Sequence, residues 1–144
     1  MGADAHRIVN PLTLAQPVGF AHAVVAAPGR TVYLGGQTAQ RLDGVIPEAG
    51  LVEQFDLALE NVVKALAAVG GRPRHLVSMQ VFTTDIGAYR ANTNALGTIY
   101  RRHFGRHYPA IALLGVSALI VPQAKVELMG VAVVPDIEAW AADT

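Results

Sequence analysis

A chain of 144 residues has the length of one domain, large enough to bury a real core. Apolar residues make up 52% of it and charged residues only 15%, more apolar material than a small monomer hides easily, so self-association is the expected outlet. Eleven basic side chains balance eleven acidic ones, which removes any general attraction for nucleic acid or anionic membrane; the lack of Cys removes disulfides, thiolate catalysis and Cys-ligated metals.

The amino end, MGADAHRIVN, mixes acid and base and leads into no apolar run of signal type. The longest apolar run, Ala110 to Val121, falls short of the ~18 residues that a membrane-spanning helix needs. A soluble, cytoplasmic protein is the expectation.

Arg7-Ile8-Val9 reads as a short strand, followed by turns at Asn10-Pro11 and Pro17-Val18-Gly19. Ala21 to Ala26 and Thr31 to Gly36 read as two strands around a hairpin-length connection, Ala27-Pro28-Gly29-Arg30. Gly35-Gly36 closes the second; a backbone without Cβ there suits a β-bulge, a strand end or close approach to a ligand. Val52, Phe55, Leu59, Val62, Leu66 and Val69 recur at spacings of three and four, which predicts a helix from about Leu51 to Val69, stopped by Gly70-Gly71. Glu53, Asp56, Glu60 and Lys64 lie off that stripe as a solvated face, with Glu60 and Lys64 spaced to pair.

His75 to Thr84 alternates as a strand. Thr84 or Asp85 can cap a second helix, predicted over about Ile86 to Phe104 and ended by Gly105. Arg101-Arg102-His103 and Arg106-His107 form the one dense basic cluster; a helix C-terminus favours such charges without any ligand. The run Pro109 to Val134 predicts two further strands joined at Val121-Pro122-Gln123. The total is six strands and two helices, an α+β order with both helices on one face of a sheet.

In the last strand Lys125, Glu127, Met129, Val131 and Val133 share one side, and both sides are apolar beyond Lys125. Such a strand is expected to be covered on both faces, leaving Glu127 in a mostly dry setting where a lone carboxylate is costly. The plainer account pairs it with Lys125 or places it at a subunit contact. The sharper one makes it a pocket carboxylate that orients water or takes a proton. No serine-hydrolase, P-loop or dinucleotide signature occurs, and His103 with His107 lacks a completing carboxylate for a metal.

The ordered set Gly35-Gly36-Gln37, Gln54, Glu60-Asn61-Val62, Val81-Phe82-Thr83-Thr84-Asp85, Pro109-Ala110 and Val126-Glu127-Leu128 resembles the RidA (YjgF, endoribonuclease L-PSP-like) family. The resemblance covers residues 17–134, about the whole of a single domain. It implies a chorismate mutase-like fold with a mixed six-stranded sheet and two helices on one face, a homotrimer, and pockets between subunits that hydrolyse imines and enamines without cofactor or metal. By that resemblance Glu127 is the catalytic carboxylate, and Phe20, Gly35, Gly36 and Ile111 are the substrate-binding positions. The chain also departs from the pattern: Ile111 stands where the family has its substrate-binding Arg, Gly35 where it has Ser, Phe20 where it has Tyr, and Leu113 where a Cys is frequent. Ile cannot replace a bidentate guanidinium, so hydrolysis of amino-acid-derived imines is not expected. Three readings stay open: a cofactor-independent hydrolase of a small metabolite, a non-catalytic ligand-binding or regulatory trimer, and the ribonuclease that the family label suggests, which the neutral charge disfavours.

Overall fold

The computed structural model describes residues 6–135; residues 1–5 and 136–144 of the expected domain lie outside them. In chain order the elements are β1 (Arg7–Val9), β2 (Ala23–Val25), β3 (Arg30–Gln37), α1 (Leu51–Ala67), β4 (Leu76–Thr83), α2 (Ile86–Ala91), α3 (Thr93–Phe104), β5 (Ala110–Gly115) and β6 (Val126–Val134). The larger sheet runs β3-β6-β4-β5 and is mixed: β4 and β5 are parallel, as a crossover through two helices allows, and β6 is antiparallel to both neighbours.

The apolar stripe of α1 forms as the spacing predicts, turned slightly so that Leu51, Phe55, Ala58, Leu59, Val62 and Leu66 are buried. They meet one face of the sheet, supplied by Leu34 of β3, Met79 and Val81 of β4, and Val126, Leu128, Ala132 and Val134 of β6. Leu96, Tyr100 and Phe104 of α3 complete this core. Each large apolar side chain contributes about 1.5–3 kcal/mol on burial, which makes this face the foundation of the fold.

Several expectations are corrected. The six strands form two sheets rather than one, because the β1-β2 hairpin is tied elsewhere. His6 Nδ1 accepts from the Ala27 N–H at 3.0 Å, His6 Nε2 donates to the His75 carbonyl at 3.0 Å, and the Ala21 N–H donates to the Pro109 carbonyl at 3.0 Å. The first closes the hairpin and the other two attach it to the starts of β4 and β5; β2 pairs with β1, so β2 and β3 are not hairpin partners. The second helix is two, not one: the backbone leaves helical geometry at Asn92 (φ −126°, ψ 25°), whose side chain donates to the Ala88 carbonyl. Asp85 does cap α2, its Oδ1 accepting the Ala88 N–H at 2.9 Å. β5 stops at Gly115, and β4 lies between β5 and β6, so the last two strands are not adjacent. The Val116 N–H is tied to the Thr83 carbonyl, and the chain then bends away rather than continuing the strand.

The solvated face of α1 is also only partly idle. Glu60 and Lys64 pair at 3.5 Å, but Asp56 takes Arg102 at 2.8 Å and His103 at 2.5 Å, joining α1 to the end of α3. Burial pushes the Asp56 carboxyl up, yet the bonds from His103 and Arg102 outweigh it and hold the group below its ordinary value.

Candidate functional site

Glu127 lies on the sheet face opposite the helices. Its cross-strand neighbour is Phe82, and Met129 comes next on the same side. Among the described residues nothing covers this face: Tyr33 is 80% exposed, Met129 43% and Leu114 43%. The expectation of a strand buried on both faces therefore holds for one face only. Glu127 is half-buried, and among the described residues no ion pair reaches its carboxylate, so pairing with Lys125 is not what holds it.

Its position is fixed by the backbone. The fully buried Gln54 of α1 donates to the Gln123 carbonyl at 2.9 Å and accepts the Lys125 N–H at 2.9 Å. The Thr83 hydroxyl donates to the Lys125 carbonyl at 2.8 Å. Residue 125 is thus clamped from both sides two positions before Glu127. Across the strand pair, Leu34 faces Gly130 and Gln37 faces Leu128, three steps on β3 against two on β6. The extra residue is a bulge at Gly35-Gly36. A Cβ on Gly36 would fall 2.5 Å from Glu127 Oε2, so a bare backbone is required for the carboxyl group to lie there. A Cβ on Gly35 would meet nothing within 4 Å.

Phe20 and Ile111 lie elsewhere. Ile111 pairs with the core residue Met79, which places it on the helix side of the sheet. Both line a cavity of ≈ 720 Å³ between the sheet, α3 and the segment before β2, walled also by Leu113, Tyr89, Tyr100 and Tyr108. Tyr100 stacks on Tyr108 at 5.1 Å and donates its hydroxyl to the His107 carbonyl at 2.7 Å. Burial raises the Tyr89 and Tyr100 hydroxyls, so both stay protonated at physiological pH. In one chain the sheet separates this cavity from the Glu127–Gly36 pair. The structure joins Glu127 to Gly36 and Phe20 to Ile111, and does not bring the two pairs together. Sequence alone singles out neither Gln54 as a positioning residue nor the three Tyr as a wall; a lone Gln on an otherwise apolar helix face is the available signal for the first.

The basic cluster is dispersed: Arg102 and His103 serve Asp56, and His107 Nε2 donates to the Leu76 carbonyl at 2.8 Å. Among the described residues no three His, Asp or Glu side chains gather as a metal site, and no helix is long and apolar enough to cross a membrane.

A mixed sheet with helices on one side, a glycine bulge against a strand carboxylate and a cavity beside the parallel strand pair define a small α+β class. Residues 13–134 match the family model described as Endoribonuclease L-PSP, and the chain belongs to that family, which includes the RidA and YjgF proteins. It is 29% identical over 136 residues to the 2-iminobutanoate/2-iminopropanoate deaminase of Capra hircus, covering 92% of this chain and 93% of that one. It is 35% identical over 118 residues to Protein DfrA of Myxococcus xanthus, covering 79% and 84%. The crystal structure of the Rid family protein YyfB from Yersinia pestis superposes with a TM-score of 0.80 at 28% identity, covering 90% of this chain and 98% of that one.

Proposed function

We propose that the chain is a cofactor-independent hydrolase of a small reactive metabolite, working as a homotrimer in which the open sheet face of one copy meets its neighbours. The observation that carries this reading is the Glu127 carboxyl group, seated against the Gly36 backbone on an uncovered apolar face. Covering that face by other copies would enclose the carboxylate beside a bound substrate, which suits a group that holds and deprotonates water. It would also let Glu127 of one copy approach the Phe20–Ile111 cavity of another, which a single chain cannot do. The deaminase name of the goat relative supports hydrolysis of a carbon–nitrogen bond. Ile111 argues against short amino-acid-derived imines as substrates, because at the sheet floor their carboxylate would face an alkyl group instead of a strand guanidinium. A cytoplasmic location suits a chain without Cys.

The test is turnover. Incubated with a panel of imines, enamines, activated amides and esters, the protein is expected to convert at least one, read by mass spectrometry, and Glu127→Gln is expected to lower that rate by about 10²-fold or more. Full turnover in Glu127→Gln removes the proposed role.

A further inference from the structure

We infer that Arg101 is the anion anchor of the helix-side cavity and that the cavity takes apolar or aromatic monocarboxylates. This rests on the proposed small-molecule reading and names the ligand class for that part of the site.

Among the described residues Arg101 is the one charged side chain lining the cavity; the rest of the wall is apolar or neutral, with Asn94 as a polar neighbour on the same helix. No carboxylate among the described residues pairs with its guanidinium, although Arg102 beside it is paired with Asp56. The helix sets the direction. Consecutive residues are turned about 100° apart, so Arg102 reaches α1 while Arg101 points back along α3 over Gly97.

Gly97 is the second observation. Glycine in a helix interior is unfavourable relative to alanine, yet it occupies the middle of α3 and lines the same cavity. A Cβ there would come within 3.2 Å of Arg101 Nη1 and 3.8 Å of Nη2. The missing side chain spares the guanidinium a shift of a few tenths of an ångström from its place along the helix at the cavity wall.

The chemistry then selects the ligand. A planar guanidinium matches a carboxylate through two parallel hydrogen bonds. The protonated Tyr89 and Tyr100 add no competing charge, and Phe20, Ile111, Leu113 and the stacked Tyr100–Tyr108 pair receive an apolar body. A phosphate monoester would bring a second negative charge with no second cation among the described wall residues to meet it. Ile111 thereby becomes a specificity determinant: the cation sits on the helix rather than the sheet floor, and the floor accepts hydrocarbon.

Calorimetric titration of the full chain with phenylacetate, phenylacetamide and phenyl phosphate tests this. Phenylacetate is expected to bind about tenfold or more tightly than the other two. Arg101→Gln should abolish that preference and Arg102→Gln should keep it. Gly97→Ala should weaken phenylacetate binding without lowering the thermal midpoint, a combination that simple damage to the fold does not produce. Equal binding of acid and amide, no binding of phenylacetate, or a preference that survives Arg101→Gln overturns the inference. If phenylacetate binds as expected but no panel compound is hydrolysed, only the hydrolase reading fails. If Glu127→Gln loses turnover while phenylacetate is ignored, only the Arg101 assignment fails.

Discussion

The two faces of the larger sheet are built on opposite terms. The helix face is finished within one chain: α1 and α3 cover it, its core side chains are buried, and its cavity has walls and a cation. The opposite face carries the carboxylate but no cover among the described residues, with Tyr33, Met129 and Leu114 turned outward. On the proposed reading a single protomer holds the binding cavity but only part of the reaction site, so binding and catalysis should be separable by substitution.

The largest effect should come from the uncovered face. Met129→Lys combined with Leu114→Lys is expected to turn the proposed trimer into monomer, read by light scattering, while circular dichroism stays unchanged because neither side chain belongs to the helix-side core. A trimer that persists would show that this face is not the contact.

Next in size is the clamp that links the faces. Gln54→Leu leaves the Gln123 and Ala49 carbonyls and the Lys125 N–H without their buried partner. Urea denaturation should show a loss of about 3 kcal/mol, the expected scale for stranded buried polar groups. A loss below about 1 kcal/mol would mean that β6 is positioned without it.

The smallest effect concerns pH and the helix side alone. Burial lowers the His107 value below 6.5, outweighing its bond to the Leu76 carbonyl. The unfolded chain then takes a proton that the native one refuses, so stability falls as pH drops through about 6.5. Asp56, held below 3.8, contributes stability that is present above that value and lost beneath it. Urea midpoints should decline in two stages on acidification, and Asp56→Asn should flatten the second; a single stage near about pH 4 would contradict the His107 part.

The helix face is legible in the sequence because a spacing of three and four is a local property: the buried stripe of α1 and the Asp85 cap need no tertiary information. The Gly35-Gly36 bulge is legible as one of three uses, beside a strand end and a close approach to ligand, and the register between β3 and β6 selects it. What alternation gives is parity, not side. Glu127 and Ile111 can be assigned to alternate positions of their strands, but only the register Phe82 with Glu127 and Met79 with Ile111 reveals that they lie on opposite faces. Arg101, Arg102 and His103 read as one patch because adjacency in sequence hides the rotation of a helix. The break at Asn92 is equally hidden, as Asn carries no strong prohibition in a helix interior.

Ammonia release from a panel of short amino-acid-derived imines, measured for the natural chain and for Ile111→Arg side by side, tests the central claim most directly. The account predicts that the natural chain is inactive on them and that the variant gains activity, because Glu127 is retained and the departure that matters most is the missing strand guanidinium. Rapid ammonia release by the natural chain, with no gain in the variant, would contradict it.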